Sequence, residues 1–402
     1  MKNFPPIVLD PEGRDIQGEI TRIRERGPIT RVELPGGVRA WSVIGAAELK
    51  EILSGDYVSK DPRQHWPAFR NGQISRDWPL LAWINTPSMF TAYGVDHRRL
   101  RKIIAPAFTH KRTTALEPRI RAITQGLIRS LESAPLEESV DIRGRFAYAL
   151  PIEVINELLG VPEHLDGPLR DCVDAVFDTS AATDDATVSM IEVLSELVAY
   201  RSRNPGEDLT SALIVKVEEK KFTEKELLGT LYLTINAGHE TTVNLLDQAI
   251  YLLLTHSGHR SAVLDGSLEW PAVIEEVLRY EAPAAHVPLR YAVKDFTLSG
   301  VAIAEGDAIL AGYAGVGRDP RVHGAAADTF NPTRADKDHL AFGYGAHHCL
   351  GAPLARMEAR IALSALFARY PNMELAVAPS ELGATPGFVA NGHRRLPVML
   401  NG

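Results

Sequence analysis

FGYGAHHCLGAPLARMEAR, residues 342–360, places one cysteine between a glycine-rich loop and the first turn of a predicted helix. The three glycines of this stretch allow tight turns and a close approach of the backbone to a flat ligand. Cys349 stands directly before the helix predicted for residues 352–370, where the helix N-terminus and neighbouring N–H groups favour a thiolate over a thiol. A thiolate held by backbone donors is suited to be an axial iron ligand.

Cys349, taken alone, is open to other interpretations. A cysteine before a helix is also typical of a redox thiol or of a structural residue. Zinc is disfavoured because a tetrahedral site needs several nitrogen or sulfur ligands, and no second cysteine is close in the sequence. The other cysteine, Cys172, is interpreted as a small buried hydrophobic residue. Two cysteines form no disulfide framework, so the sequence favours the reducing cytoplasm.

The composition indicates a globular protein with a large core. Hydrophobic residues make up 45% of the 402 residues and charged residues 23%. The formal net charge of -8 argues against general binding of nucleic acid, which usually requires a basic surface. The N-terminal segment MKNFPPIVLDPEGRD has no apolar run long enough for a signal peptide or a membrane anchor.

The hydrophobic pattern predicts a mainly α fold with a smaller β-rich region drawn from both ends of the chain. Alternating residues predict strands on both sides of Pro-Gly-Gly at residues 35–37, and again within residues 289–315. Helical spacing runs through residues 96–131, and no proline interrupts residues 225–256, which predict one long central helix. We find no repeat or linker and expect residues 1–402 to form one domain.

The central helix carries AGHETT at residues 237–242. HETTV begins like the metalloprotease motif H-E-x-x-H, but its fifth residue is Val243, so the second zinc ligand is missing. Further along, EEVLRY places Glu276 and Arg279 three residues apart on one helix face, which in isolation suggests an ordinary surface ion pair.

These motifs together resemble the cytochrome P-450 family, from about residue 30 to the C-terminus. Phe342, Gly343, Cys349 and Gly351 match the heme-binding loop of that family, and the resemblance makes Cys349 the iron ligand. AGHETT resembles the oxygen-binding segment. By this resemblance Ala237 and Gly238 are the small residues of that segment, Gly238 leaves room for dioxygen, and the pair Glu240 and Thr241 manages protons.

The same resemblance assigns two sets of charged residues. Glu276 and Arg279 would form a buried network with the arginine of FNPTR, Arg334, as structural support behind the cysteine loop. The heme propionates would be bound by cations and donors from four separate segments, because charge-assisted hydrogen bonds suit such groups; these are His97, Arg101, Arg290 and His347. One departure is that TAYGVDH replaces the Asp-Pro-Pro run common before the first histidine.

The resemblance implies a heme-thiolate monooxygenase with non-covalent b-type heme. It would insert one oxygen atom from O₂ into an organic substrate, with electrons that come indirectly from NAD(P)H. No flavin or ferredoxin domain fits in this chain, so a ferredoxin and a ferredoxin reductase are expected as partners. Two alternatives stay open: a heme-thiolate peroxygenase, isomerase or coupling enzyme, and a non-catalytic heme protein that senses or carries a ligand.

A largely apolar pocket predicts a bulky lipophilic substrate such as a steroid, terpenoid or polyketide. Its walls are expected to include Trp83, Met89, Val287, Phe388 and Val389. A basic patch on the thiolate side would steer an acidic ferredoxin to the protein. The residues expected in this patch are Arg101, Lys102, Arg356 and Arg360.

Overall fold

The computed structural model describes residues 4–133, 135, 137–177 and 183–401. The described structure is 55% helical, and a smaller sheet region accompanies the helices, which confirms the predicted fold class. Within the described ranges, no helix combines the length and the apolar character that crossing a membrane would require.

The longer helices begin after a short N-terminal strand and dominate the middle of the chain. The first nine are α1 (Ile16–Arg26), α2 (Ala46–Ser54), α3 (Pro62–His65), α4 (Pro67–Arg70), α5 (Leu81–Asn85), α6 (Gly94–Ile104), α7 (His110–Ala115), α8 (Glu117–Glu132) and α9 (Ala149–Leu159). The remainder are α10 (Glu163–Phe177), α11 (Thr183–Arg203), α12 (Leu209–Glu218), α13 (Glu224–Thr255), α14 (Ser257–Leu264), α15 (Trp270–Tyr280), α16 (Ala314–Gly317), α17 (Pro320–His323) and α18 (Ala352–Arg369).

Apart from β5, the strands come from the two end regions of the chain, as the sequence predicts. They are β1 (Ile7–Val8), β2 (Ile29–Leu34), β3 (Val38–Val43), β4 (Val58–Ser59), β5 (Val140–Asp141), β6 (Val287–Ala292), β7 (Phe296–Leu298), β8 (Val301–Ile303), β9 (Ala308–Ala311), β10 (Glu374–Leu375) and β11 (Pro397–Met399). Six of them form one sheet in the order β1-β2-β3-β9-β6-β4. Arg290 of β6 pairs with Ile309 of β9, which fixes this arginine at the edge of the site described below.

Helix α13 begins at a capping box. The Thr223 hydroxyl accepts from the Glu226 backbone N–H, and the Glu226 carboxylate accepts from the Thr223 backbone N–H. The helix is buried on several sides and packs against α9, α11, α15 and α18. Its bounds confirm the long central helix predicted from residues 225–256.

The helical stretch predicted from residue 96 to residue 131 is in fact three helices. Pro106 lies in a short 3-10 turn at Ala105–Phe108, and Pro118 lies in the first turn of α8. A proline cannot donate a backbone hydrogen bond and its ring crowds the preceding turn, so it ends one helix and suits the start of the next. The apolar spacing continues across these breaks, which is why periodicity alone does not show them.

Candidate active site

The cysteine loop folds around two glycines in the left-handed region. Gly343 has φ +71° and Gly345 has φ +69°, and a Cβ on Gly345 would lie 2.5 Å from the carbonyl oxygen of Leu53. The Cys349 N–H donates to the Phe342 carbonyl at 2.9 Å, which closes the loop. Gly351 differs from the expectation: its φ of -79° is ordinary, and a Cβ there would be 3.7 Å from the Cys349 sulfur.

The thiol of Cys349 has several groups that favour its charged form, and one effect that opposes them. Burial raises the pKa of the thiol, while the backbone N–H groups of Gly351 and Ala352 and the guanidinium groups of Arg101 and Arg356 lower it; the net direction is upward. The donors of the helix start therefore favour the charged form of the thiol, and a thiolate at Cys349 stays a prediction. A bound metal cation would supply the missing stabilisation, since a coordinating thiol is deprotonated.

The four predicted propionate-binding residues come from α6, β6 and the cysteine loop, and three of them are close together. The rings of His97 and His347 lie 3.9 Å apart between centroids. Arg290 is buried, and its charge lowers the pKa of both histidines further, after burial as the main cause. Arg101 instead donates to the backbone carbonyl of His348 at 2.6 Å, so its guanidinium holds the cysteine loop directly.

Lys60 is a fifth member of this cluster, and sequence reasoning missed it. Its side chain is buried, and its ammonium lies 3.5 Å from the centre of the Phe90 ring, 3.4 Å from the Pro288 carbonyl, and next to Arg290. No motif marks this lysine, because it follows a two-residue strand, β4, that pairs with β6.

The five cations and donors fit an anionic group. Within the described ranges, none of Lys60, His97, Arg101, Arg290 and His347 forms an ion pair with a carboxylate, and His97 Nε2 and Arg290 Nε are buried without a hydrogen-bond partner. Burying unpaired cations is costly. The donor set therefore fits the carboxylates of a heme whose iron is bound by Cys349.

The predicted oxygen-binding residues of the central helix differ in their exposure to solvent. Ala237 is exposed and Thr241 is partly exposed, although the helix around them is largely buried. The Thr241 hydroxyl donates to the Ala237 carbonyl at 2.7 Å, the ordinary back-bond of a helical threonine. A Cβ on Gly238 would lie 3.1 Å from Ile155 Cδ1, so the small size of Gly238 accommodates helix α9.

Glu240 is buried and paired. Arg143, at the start of a π-helical segment (Arg143–Tyr148), donates to Glu240 Oε1 at 2.9 Å and to Asn244 Oδ1 at 3.3 Å. Burial raises the pKa of Glu240 and Arg143 opposes the rise. The predicted acid therefore has an arginine partner about a hundred residues away, which no sequence motif indicates.

Glu276, Arg279 and Arg334 do meet, and the first two are fully buried. Arg279 donates to both carboxylate oxygens of Glu276, at 2.8 and 2.7 Å, and Arg334 Nε lies 3.5 Å from Glu276 Oε1. Arg279 also donates to the carbonyls of Gly317, Ala327 and Thr329. The pair therefore fastens the long segment that precedes the cysteine loop onto α15.

The predicted pocket residues fall into more than one group. Trp83, Phe388 and Val389 pack in or against the core cluster under the six-stranded sheet, whereas Met89 and Val287 pack against two other clusters. The segments that carry Val287 and Val389 are nevertheless tied together, since Ala285 N–H donates to the Val389 carbonyl at 2.8 Å.

The predicted basic patch is partly neutralised. Arg356 donates to Glu275 at 2.5 and 2.9 Å, and Arg360 lies 3.5 Å from Glu117. Glu275, Arg356 and Arg360 line a groove of about 280 Å³ beside the start of α18. The exposed cations Lys102, Lys111 and Arg112 have no ion-pair partner among the described residues.

Proteins of known sequence and structure resemble this chain over nearly its whole length. A sequence model described as Cytochrome P450 matches residues 270–378. The chain is 44% identical, over 99% of its length and 98% of the relative's, to "2-hydroxy-5-methyl-1-naphthoate 7-hydroxylase" from Streptomyces carzinostaticus. It also matches the solved structure of CYP154A1 from Streptomyces coelicolor A3(2), with 47% identity, a TM-score of 0.93, and coverage of 98% of this chain and 100% of that one.

A further similar solved structure is "Testerone bound CYP154C4" from Streptomyces sp. ATCC 11861. It has 39% sequence identity and a TM-score of 0.95, and the match covers 99% of this chain and 98% of that one. The chain belongs to the cytochrome P450 family, and its relatives are bacterial hydroxylases and monooxygenases. The family resemblance predicted from the motifs is therefore confirmed, and it identifies the protein as a P450 monooxygenase.

Proposed function

We propose that this chain hydroxylates a bulky lipophilic small molecule of the polyketide, steroid or terpenoid type, with electrons from NAD(P)H passed through a ferredoxin reductase and a ferredoxin in the cytoplasm. The observation that carries the proposal is the acid–alcohol pair Glu240–Thr241 on α13, in a chain that also has the thiolate loop. Heme-thiolate enzymes that use peroxide often lack this pair, so it favours activation of O₂.

The substrate class draws on the relatives and on the apolar residues near the predicted pocket. One relative acts on a methylated hydroxynaphthoate, a flat aromatic acid, and one neighbour binds testerone. Trp83, Phe388 and Val389 are large and apolar and lie in one cluster. Apolar walls with few polar groups are typical of sites for rigid polycyclic ligands.

Each residue of the site has a separate task in this proposal. A heme bound at Cys349 supplies the redox chemistry that inserts the oxygen atom into the substrate. Lys60, His97, Arg290 and His347 hold the heme carboxylates, and Arg101 fixes the backbone of the cysteine loop. Thr241 offers a hydroxyl oxygen that can still accept a hydrogen bond, because its proton is donated to Ala237. Glu240 supplies protons, and Arg143 keeps its carboxylate in place.

The proposal is tested by binding and turnover together. A panel of aromatic polyketides, steroids and terpenoids is screened by the shift that a ligand causes in the heme spin-state absorption, and the compounds that bind are incubated with NAD(P)H and surrogate redox partners. We expect consumption of NAD(P)H with an oxygenated product. Product formed only with added peroxide would favour a peroxygenase, and tight binding without any product would favour a sensor.

Thr241→Ala is expected to divert electrons into hydrogen peroxide. The variant keeps the shape of the pocket, so substrate binding and electron uptake should be retained while the fraction of NAD(P)H converted to product falls several-fold. Peroxide and product are measured against NAD(P)H consumed. Thr242→Ala is the matched control, because its hydroxyl makes the same back-bond, to Gly238, from the buried side of α13. Equal coupling in both variants would show that Thr241 is structural.

Electron delivery is assigned to the surface around the groove at α18. His110 and Thr113 of α7 line this groove with Arg356 and Arg360, so the exposed cations of α7, Lys111 and Arg112, lie beside it. An acidic ferredoxin would be attracted there in spite of the net charge of -8, because steering depends on the local field. The Lys111 and Arg112 pair is a better candidate for this attraction than the neutralised Arg356 and Arg360.

The rate of reduction by ferredoxin should fall steeply as ionic strength rises. Lys111→Glu/Arg112→Glu should slow reduction at low salt by on the order of tenfold, and the difference from wild type should vanish at high salt, where charges are screened. Stopped-flow reduction measures both. The control is Arg39→Glu, an exposed arginine of β3. If the control slowed reduction equally, or if the rate of reduction did not depend on salt, ferredoxin would not dock at this surface.

A further inference from the structure

Helix α13 carries a buried polar row that continues from Glu240 away from the oxygen-binding residues. Glu240, Asn244, Asp247 and Tyr251 follow at steps of four, three and four residues, so they lie on one face of the helix. Asn244 and Asp247 are completely buried. Buried polar groups are costly unless they are partnered, so a row of them within an otherwise apolar helix needs an explanation.

The C-terminal loop covers the far end of this row. The His393 backbone N–H donates to Asp247 Oδ2 at 2.8 Å, and ring atom Nδ1 lies 3.0 Å from the same oxygen. A Cβ on Gly392 would lie 2.3 Å from Asn244 Oδ1 and 3.1 Å from Asp247 Oδ2. The glycine thus lets the loop press onto both side chains, and it shows that the two face one small region.

The network ends in solvent on one side and at Glu240 on the other. The His393 side chain has 14% of its surface exposed to solvent, and two exposed arginines follow it in the chain. The Asp247 side chain has no surface exposed to solvent. At the inner end, Arg143 joins Asn244 to Glu240. Asp247 Oδ1 and Arg143 Nε are buried without a hydrogen-bond partner in the described part of the chain, so both can still bind water between the two carboxylates.

The charges of the network leave it one proton short of neutrality. Glu240 and Asp247 contribute two negative charges, and Arg143, which stays protonated, contributes one positive charge. With a neutral His393, the buried group carries a net charge of -1, which binding of a single proton removes. Tyr251 packs on the His393 ring, and Glu281 is held nearby by Asn391. The His393 imidazole is placed to take this proton from solvent, because one ring nitrogen lies on Asp247 and part of the ring is exposed.

On the basis of the proposed function, we infer that His393 and Asp247 form the proton-uptake end of a relay that reloads Glu240. The proton enters at one ring nitrogen of His393, leaves from the other to Asp247 Oδ2, and continues from Asp247 to Glu240 through water bound by Asn244 and Arg143. No electron moves in these steps. His393 and Asp247 act through Glu240 and are positioning residues, and the site in contact with oxygen stays that of Glu240 and Thr241.

The first test needs no turnover and therefore stands even if the proposed function fails. The pH titration of the infrared band of the protonated Glu240 carboxyl is followed in the heme-loaded protein, with Glu240→Gln to assign the band. Because Asp247 adds to the raised pKa of Glu240, Asp247→Asn should move the titration of Glu240 to lower pH. An unmoved titration would show that the two carboxylates are not coupled.

The second test measures proton delivery during turnover. His393→Gln and Asp247→Asn should each lower kcat on the order of tenfold, raise the solvent deuterium isotope effect and leave KM within about twofold. The control is Thr385→Val, which removes the hydroxyl that donates to the His393 carbonyl at 2.9 Å but keeps the ring and Asp247. If the control matched the two variants, or if they kept the wild-type kcat and isotope effect, the pair would only anchor the loop.

Discussion

Cys349→Ala is expected to abolish the red-shifted Soret band that the reduced carbon monoxide complex of a thiolate-ligated heme gives. The alanine removes the sulfur ligand but keeps the backbone of the loop, since the hydrogen bond from residue 349 to Phe342 is made by the backbone N–H. The cation cluster is also intact, so the variant should still take up some heme. The reduced carbon monoxide spectrum of the purified variant measures the loss directly.

Cys172→Ala is the matched control for this loss. Cys172 lies in α10 within an apolar core cluster, and burial raises the pKa of its thiol, so it has the character of a structural cysteine. Its replacement should leave the band unchanged, with a stability loss of about 1 kcal/mol from the small cavity. A band that survives in Cys349→Ala and disappears in Cys172→Ala would overturn the ligand assignment.

The parts of the site that the sequence predicts well are those in which neighbours along the chain are also neighbours in space. The glycine-rich loop with Cys349, and the pair Glu276–Arg279 within one helix turn, are short patterns of this kind. Helix α13 is also determined by short-range sequence features, because the capping box at Thr223 and the absence of proline define its start and its length. Backbone conformation and helix periodicity are sufficient to predict these features.

The partners of these residues depend on packing between distant segments, which no local pattern describes. Lys60 joins the cluster predicted to bind the heme propionates only because β4 pairs with β6, and Arg143 reaches Glu240 only because the π-helical segment packs against α13. The same reasoning applies to His393, which meets Asp247 across nearly 150 residues. The sequence alone does not show which residue a basic side chain will contact, and most basic side chains are on the protein surface.

Packing also gives several predicted residues neighbours that the sequence does not show. Arg356 was expected to be a free cation for docking, but α15 places Glu275 next to it. The thiol of Cys349 was expected to favour its charged form; burial raises its pKa, and Arg101 of α6 and Arg356 of α18 oppose that rise. Gly238 was expected to leave room for dioxygen, and its small size also accommodates Ile155 of α9. In each case at least one of these neighbours is remote in sequence.

Arg279→Met is expected to lower the free energy of unfolding by about 3–5 kcal/mol, because it leaves the Glu276 carboxylate buried with its main cation removed. The carbonyls of Gly317, Ala327 and Thr329 lose their donor as well, so the segment that leads to the cysteine loop should loosen and release heme faster. Urea unfolding and heme transfer to an acceptor protein measure the two effects.

The double variant Glu276→Leu/Arg279→Met should be less destabilised than the sum of its single variants, since residues in one buried pair act together. Lys216→Met is the matched surface control: Lys216 pairs with Glu219 at the same three-residue spacing, but in solvent, where such pairs contribute little. We therefore expect no measurable loss of stability or heme in the control. Additive losses in the double variant, or a loss in Arg279→Met as small as in Lys216→Met, would show that the Glu276–Arg279 pair does not hold the cysteine loop in place.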